Sequence, residues 1–308
     1  MLRIRRVLYP TDFSDAGRPA LDHALLWADL HDAELLLLHV LARRSADPFN
    51  PDHQFPEADE LLARTHELAG TEMAALLEPH RDRPLAIRKA IRSAPEVDRG
   101  ILDFAAAEDV DLIVMGTHGR RGPAHLLMGS VTSEVLRRST VPVLAVSGRD
   151  AQVVGQLRRI LAPVDFSAPS RFAVAHARDL AATAGATLEL FHVLPDLEVP
   201  LPMNPAGFGA GATVVSDLEP AAQSALDELA ASSGPPVSFE TAVWHGPPAA
   251  TILNRAAETH ADLIVLATEG HTGLDRLLLG SVAERVARLA GCPTLVVPAH
   301  GRSLLPDA

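Results

Sequence analysis

The chain of 308 residues holds one cysteine, one tyrosine, two tryptophans and one lysine. A lone thiol, Cys292, excludes an internal disulfide and a cysteine-built metal site; at the head of an apolar run it reads as core. The one lysine, Lys89, lies in an alternating, strand-like segment far from any glycine loop, so a phosphate loop of the form GxxxxGK followed by Ser or Thr is absent. No HExxH or cysteine–histidine spacing appears, and neither does an SGGxDS loop, an HIGH or a KMSKS signature. No apolar run approaches a membrane span, and no charged-then-apolar leader is present, so a soluble, cytoplasmic protein without a membrane partner is expected. The net charge of −12, shared by both halves, argues against a nucleic-acid surface.

What the chain has in quantity is apolar residues, 47%, and a pattern written twice. Residues 111–146, DLIVMGTHGRRGPAHLLMGSVTSEVLRRSTVPVLAV, set a short apolar run, Leu112 to Met115, ahead of Gly116, Gly119 and Gly129. Ser130 follows, as a plausible helix-start serine, and then good helix formers from Val131 to Arg138. Strand, glycine loop and helix start in that order make an anion site, because the backbone can approach phosphate oxygens and the helix dipole favours negative charge there. Arg120 and Arg121 add guanidinium forks that suit phosphate. One isolated glycine cluster would fit an ordinary turn equally well. Residues 262–297, DLIVLATEGHTGLDRLLLGSVAERVARLAGCPTLVV, repeat the pattern with Gly270, Gly280 and Ser281 at matching spacing.

In chain order, Arg3 to Pro10 reads as a strand ending in PTDFS, with Asp12 just past its carboxyl end, where open α/β sheets place ligands. Ser14 or Asp15 could cap a helix over Ala20 to Leu30; a strand over Glu34 to Val40 and a helix from about Glu57 to His80 follow. Leu85 to Ile91 alternates as a strand, Pro95 suits the first position of a helix, and Val141 to Val146 is the fifth strand. Five strands alternating with four helices predict a parallel sheet covered on both faces. The second copy opens at Arg159 with Asp165 in the place of Asp12, runs through a strand over Thr187 to Val193, and continues as helix Asp217 to Ala231, strand Val237 to Trp244 and helix Pro247 to Thr259. The expected layout is domain one at 1–147, a linker at 148–157, domain two at 158–299 and a frayed tail at 300–308. The proline- and glycine-rich connection from Pro195 to Ser216 reads as a flap or a plain flexible loop. His39 and His192, at matching strand ends, read as partly buried hydrogen-bonded residues, and His118 and His125 as surface ones.

The repeated set of Gly116-x2-Gly119-x9-Gly129-Ser130, the PTDFS opening, His39-Val40 and the VPVLAV strand resembles the universal stress protein family in tandem form, over nearly the whole chain. The resemblance implies a Rossmann-like fold of the adenine nucleotide alpha hydrolase kind, as two tandem open five-stranded parallel sheets. It also implies ATP or another adenine nucleotide, with magnesium as a possible companion. In the nucleotide-binding branch the strand-end aspartate meets ribose or adenine, the valine ending the second strand meets adenine through its backbone, and the glycine loop with its serine holds the phosphates. Carried over with their neighbours, these roles fall on Pro10, Thr11, Asp12, Val40, Gly116, Thr117, Gly119, Arg120, Gly129, Ser130 and Val131. In the second half they fall on Pro163, Val164, Asp165, Val193, Ala267, Gly270, Gly280, Ser281 and Val282.

The second half departs from the motif. Ala267 replaces the first glycine, Glu269 brings a carboxylate toward the phosphate position, and His271 and Thr272 stand where Arg120 and Arg121 stand. A carboxylate beside a polyphosphate repels it unless a cation bridges them, so the first site is expected to be the stronger. The first expectation is thus a nucleotide-binding stress sensor or regulator without a legible nucleophile–base pair. A scaffold that binds no nucleotide and acts through dimer contacts is the second, and a slow magnesium-dependent ATPase the third. Members of the family commonly dimerise through the final strand, which implies a pseudo-dimer within this chain and a homodimer as a further possibility.

Overall fold

A computed structural model describes residues 2–42, 58–117, 128–147, 157–195, 208–232, 234–269 and 279–305. The chain divides into two compact units, residues 3–153 and 154–308. The first contains β1 (Arg6–Pro10), α1 (Arg18–His31), β2 (Glu34–Ala42), α2 (Ala58–Leu77), β3 (Ile87–Ala94), α3 (Val97–Ala107), β4 (Leu112–Gly116), α4 (Ser130–Arg138) and β5 (Val143–Val146). The second contains β6 (Arg159–Pro163), α5 (Ala168–Ala184), β7 (Thr187–Leu194), α6 (Phe208–Ala231), β8 (Ser238–His245), α7 (Pro248–Glu258), β9 (Leu263–Ala267), α8 (Ser281–Leu289) and β10 (Thr294–Val297). Strand order is β3-β2-β1-β4-β5 in the first unit and β8-β7-β6-β9-β10 in the second. Within each unit the strands run parallel. Right-handed crossovers therefore put α1 and α2 on one face of the first sheet and α3 and α4 on the other.

The sequence builds this for simple reasons. Leu35 to Leu38 in β2 are all buried, as a strand covered on both faces requires. The outer strand β3 carries Arg88, Lys89 and Arg92 on exposed positions, which guards an open edge. At the amino ends, Asp111 Oδ2 accepts the main-chain N–H groups of Arg5 and Arg6, and Asp262 Oδ2 those of Arg158 and Arg159. One carboxylate thus fixes where the central strand of each unit begins. Helix α1 ends on Asp32 and α5 on Gly185, both left-handed, the turn that lets a helix stop.

Several boundaries differ from expectation. A 3-10 turn, Asp15–Gly17, precedes α1, so Gly17 and not Ser14 or Asp15 stands at the helix N-cap. Pro95 lies outside α3, in the bend that leaves β3, and the extended Glu96 is the N-cap. Ser130 is the first residue of α4, with Gly129 at the cap. The connection expected from Pro195 to Ser216 is helical from Phe208, and residues 196–207 lie outside the described residues. Cys292 is partly exposed, since it sits in the turn between α8 and β10 and not in the strand.

The tail is anchored where fraying was expected. Ala299 N–H donates to Thr268 Oγ1 (3.1 Å), Leu304 is fully buried, and its N–H donates to His176 Nε2 (3.2 Å). The matching residue on α1, His23, is also buried. Burial pushes the pKa of both histidines below the usual imidazole value, against an opposing pull from the Phe172 carbonyl and Asp179 at His176 and from Asp22 at His23.

At one position the halves exchange roles. Arg92 on β3 lies over the ring of Phe104 on α3 (5.3 Å), whereas in the second half the strand supplies the ring, Trp244, and helix α7 supplies the cation, Arg255 (5.0 Å). A cation moved inward needs a counter-charge. Glu189 on β7, fully buried, pairs with Arg255 (2.5 Å) and Arg159 (3.3 Å), where the first half has Leu36.

Two outcomes follow for stability. Glu189→Ala strands the partly buried Arg255 guanidinium, while Arg159 keeps its pair with Glu240, and is expected to cost about 3 kcal/mol in urea unfolding. The two buried histidines regain a pKa near 6.5 on unfolding, so between that value and their lower folded values the unfolded chain binds protons that the folded chain does not. Stability held above about pH 6.5 is then lost on acidification, by up to about 1.4 kcal/mol per pH unit for each histidine. Urea midpoints between pH 8 and 5 read this slope, and His23→Leu is expected to shallow it.

Candidate functional site

Each sheet reverses its strand order beside its first strand, between β1 and β4 and between β6 and β9, the place where ligand crevices open in α/β sheets. The opening has a local cause. The β1–β4 pairing covers only Val7 and Leu8, while β1 stays paired with β2 through Pro10, and Thr11 N–H then donates to Leu38 O (2.8 Å). Backbone groups alternate along a strand, so with Thr11 facing β2 the nitrogen of Pro10 faces β4, and it has no hydrogen to give. Pro163 repeats this: Val164 N–H donates to Phe191 O (2.8 Å), leaving the proline nitrogen toward β9.

On the other side of β1 the ladder ends in a different way. The next rung would run from Val40 N–H to Thr11 O, but the His39 ring takes that carbonyl with its Nδ1–H at 2.8 Å. The main-chain groups of Val40 face the crevice just past the last rung of the sheet. His192 does the same to Val164 O (2.6 Å), beside Val193. The two histidines are thus hydrogen-bonded, as expected, and they also set where the valine backbone is presented.

Between strand end and helix lies a strained turn. Phe13 and Phe166 adopt left-handed backbone, φ 62° and 64°, which costs a non-glycine residue roughly 1–2 kcal/mol. Their rings lie on His39 and His192, with centroids 4.5 and 4.7 Å apart. Thr11 Oγ1 accepts from Phe13 N–H (3.0 Å) and Asp12 Oδ1 from Ser14 N–H (3.0 Å), which holds Asp12 at the crevice mouth. Asp165 is held by the same Ser167 N–H contact (3.0 Å). No local preference of phenylalanine predicts this left-handed backbone, although the repeated DFS carries it.

The opposite wall is the end of β4 and the start of α4. Gly129 N–H donates to Thr117 O (2.8 Å), Thr117 N–H to Val146 O (2.9 Å), and Thr132 Oγ1 to Gly116 O (2.8 Å). Gly129 is an N-cap with no side chain, so nothing on it competes for the N–H groups of the first turn, where Ser130 and Val131 stand. Its φ of −58° is open to any residue, and among the described residues a Cβ there would meet only Thr117 O at 3.7 Å and Thr132 Oγ1 at 3.9 Å. The packing of the described residues therefore does not require glycine here.

The second half rebuilds this wall with changes. Gly280 N–H donates to Thr268 O (2.7 Å) and caps α8, followed by Ser281 and Val282, but Ala283 replaces the threonine that clamps Gly116, and Glu284 adds a carboxylate to the first turn. Helix α4 has no acid in its first turn. Ala267 ends β9, and Glu269 lies half-buried beyond it. Gly119, Arg120 and Gly270 lie outside the described residues, as do Arg121, His118, His125, His271 and Thr272. Among the described residues no three His, Cys, Asp or Glu side chains group to hold a metal ion, and no helix is long and apolar enough to cross a membrane.

The universal stress protein family model matches the chain twice, over residues 3–147 and 156–298. A universal stress protein of Mycolicibacterium smegmatis is 28% identical over 308 residues, covering 94% of this chain and 96% of its own. One from Methanocaldococcus jannaschii is 28% identical over 157 residues, 48% of this chain but 97% of its own length. Among solved structures, a functionally unknown protein from Pseudomonas aeruginosa PAO1 superposes with a TM-score of 0.64 at 22% identity, covering 96% of this chain and 92% of that one. A universal stress protein from Archaeoglobus fulgidus DSM 4304 gives 0.61 at 21%, covering 96% and 98%. At such identities these likenesses establish the fold.

Gly100 on α3 makes the Val40 position testable. A Cβ there would stand 2.7 Å from Val40 Cγ1 and 2.8 Å from Ala94 Cβ, so the helix lies against the strand only because the side chain is missing. Gly70 in α2 has no described residue within 4 Å. Gly70→Ala is expected to raise stability by about 0.5–1 kcal/mol through helix propensity. Gly100→Ala is expected to lower it by about 1–2 kcal/mol, as overpacking exceeds the same gain. Denaturant unfolding of both variants decides, and equal stabilisation would show that α3 moves freely.

Proposed function

The chain belongs to the universal stress protein family, and on that footing we propose that it is a stress-response module that binds an adenine nucleotide, ATP or another adenylate, chiefly in its first half. The observation that carries the reading is the start of α4: a side-chain-free cap, no acid in the first turn, and no described residue closely packed on the bare position. That wall faces Asp12 and the Val40 backbone across the crevice at the strand switch. A carboxylate suits sugar hydroxyls, exposed peptide groups suit a base edge, and helix-start N–H groups suit phosphate. Gly116, Thr117, Gly119, Arg120, Ser130 and Val131 form the phosphate end of this proposal, with magnesium as the counter-ion of the triphosphate.

The second site is the weaker in this reading. Glu284 opposes the positive helix end, Glu269 adds a second carboxylate, and Ala267 adds a methyl group at the end of β9. Isothermal titration with ATP and magnesium, together with nucleotide released on denaturation, is expected to give about one tight site per chain. Gly129→Val is expected to weaken that site at least about 10-fold, the value of one or two lost charge-assisted hydrogen bonds, while Gly280→Val leaves it intact. Equal losses from both variants would overturn the asymmetry, and no binding with or without magnesium would overturn the nucleotide reading.

A further inference from the structure

In each half a side chain withholds one main-chain donor from the sheet. Leu35 N–H donates to Ala86 O on the β3 side (2.8 Å), and the β2–β3 register runs without a break from Leu35 to Ala42. Main-chain groups alternate along a strand, so Leu36, Leu38 and Val40 turn theirs to β1, in keeping with the Thr11 N–H that Leu38 O accepts (2.8 Å). Both the N–H and the C=O of Val40 therefore face the side on which β1 has ended. The second half repeats the arrangement in β7. Phe191 O accepts Val164 N–H (2.8 Å) and Leu194 O accepts Gly246 N–H on the β8 side (3.0 Å), which leaves Val193 facing β6.

With the Thr11 carbonyl open, Val40 N–H would complete one more rung; the His39 ring takes that carbonyl instead. A carbonyl only accepts, so Nδ1 of His39 carries the hydrogen, at 2.8 Å from Thr11 O. Phe13 lies on that ring with centroids 4.5 Å apart, although its own backbone is left-handed, φ 62°. His192 on Val164 O (2.6 Å), with Phe166 on the ring at 4.7 Å and φ 64°, is the same device. Among the described residues neither Val40 N–H nor Val193 N–H has an acceptor. One donor is thus kept out of the ladder twice, by the same three residue types.

We propose that His39 sets the base selectivity of the first site: by taking the Thr11 carbonyl it releases Val40 N–H to an unprotonated ring nitrogen of the base, with Val40 C=O left for the amino group beside it. This rests on the nucleotide reading above and adds to it the residue through which the base is read. Adenine presents that order, an acceptor at N1 next to a donor at the 6-amino group, whereas hypoxanthine and guanine present N1–H next to a 6-carbonyl. A site built to hydrogen-bond one group rejects the analogue that lacks it, because its own donor is then left unpaired. His39 acts through the valine backbone and is a positioning residue; Phe13 acts one step further back, through the ring. The base-reading end is the part of the site that both halves keep, while the start of the helix opposite differs between them.

The test titrates the full chain, with magnesium, against ATP and against 1-deaza-ATP, in which a C–H replaces N1 and all else is kept. The tight site of the wild-type chain is expected to prefer ATP by about 5-fold or more, the value of one hydrogen bond whose donor is otherwise unpaired. His39→Leu keeps bulk at the ring position without the donor. It is expected to abolish the preference while leaving 1-deaza-ATP binding within about 3-fold, which a general loss of structure would not do. His39→Asn places an amide N–H at the position of Nδ1 and is expected to restore the preference. Should His39→Leu unfold on a thermal melt, amide exchange in the wild-type chain decides: saturating ATP is expected to slow exchange of Val40 N–H about 5-fold or more beyond saturating 1-deaza-ATP. Equal affinity for the two nucleotides, equal slowing of Val40 exchange, or a preference that survives in His39→Leu overturns this inference and leaves the nucleotide reading standing. No nucleotide bound by any of these proteins overturns both.

Discussion

A proline nitrogen carries no hydrogen, and the crevice of each half depends on where that nitrogen points. Pro10 and Pro163 end the central strand with the missing donor facing β4 and β9, so the sheet stops pairing on one side of the strand while it continues on the other. The remaining features are answers to that ending. The histidine ring takes the carbonyl left by the unmade rung, the phenylalanine folds onto the ring in a left-handed turn, and the aspartate is left at the mouth. On the β2 side it is the histidine that does this: without its ring on the Thr11 or Val164 carbonyl, the valine backbone would be consumed as one more rung of sheet.

Because the chain holds two versions of one unit, it separates what the fold requires from what it merely permits. Both halves keep the clamp of Asp111 or Asp262 on the incoming strand, the proline stop, the histidine on the carbonyl and the left-handed phenylalanine. They trade the cation and the ring between strand and helix beside Val40 and Val193, and the trade brings with it a buried glutamate. A single glycine beneath Val40 is matched in the second half by Thr251, whose hydroxyl returns to Pro247 O (3.0 Å). Packing around the crevice is therefore solved twice by different chemistry, with the same backbone facing inward.

The repeat, the strand order and the strand-end residues were legible because each has a one-dimensional signature: leucine runs for covered strands, glycine before a helix start, aspartate after a proline. Boundaries within two or three residues of a turn were not. Whether Ser14 caps a helix depends on Tyr9, five residues away and on another element, and no local preference encodes that contact. The anchored tail was written in Leu304 and Leu305, an apolar pair in an otherwise polar end, but its partner, His176, is 128 residues earlier. Glycine before the helix start reads as a close backbone approach at Gly129 and Gly280, and both have ordinary φ, so no left-handed turn reserves either position for glycine.

Three local departures from good protein chemistry meet at one turn of the first half. At the start of α1 they coincide: a bulky residue in left-handed backbone, a helix begun without a side-chain cap, and a buried hydroxyl with no partner. Order-of-magnitude costs of about 1–2, 1 and 1–3 kcal/mol together form a large part of what a domain has to spare. The second half shows that the fold does not demand them, since Ser167 supplies the cap and Asp165 satisfies its hydroxyl at the same three-residue turn. Only the phenylalanine strain is common to both, and it belongs to the geometry of the strand ending. The other two belong to the first half alone, next to the carboxylate that faces the crevice. Unrelieved local strain of this kind gathers where a structure is shaped for a partner it does not itself contain.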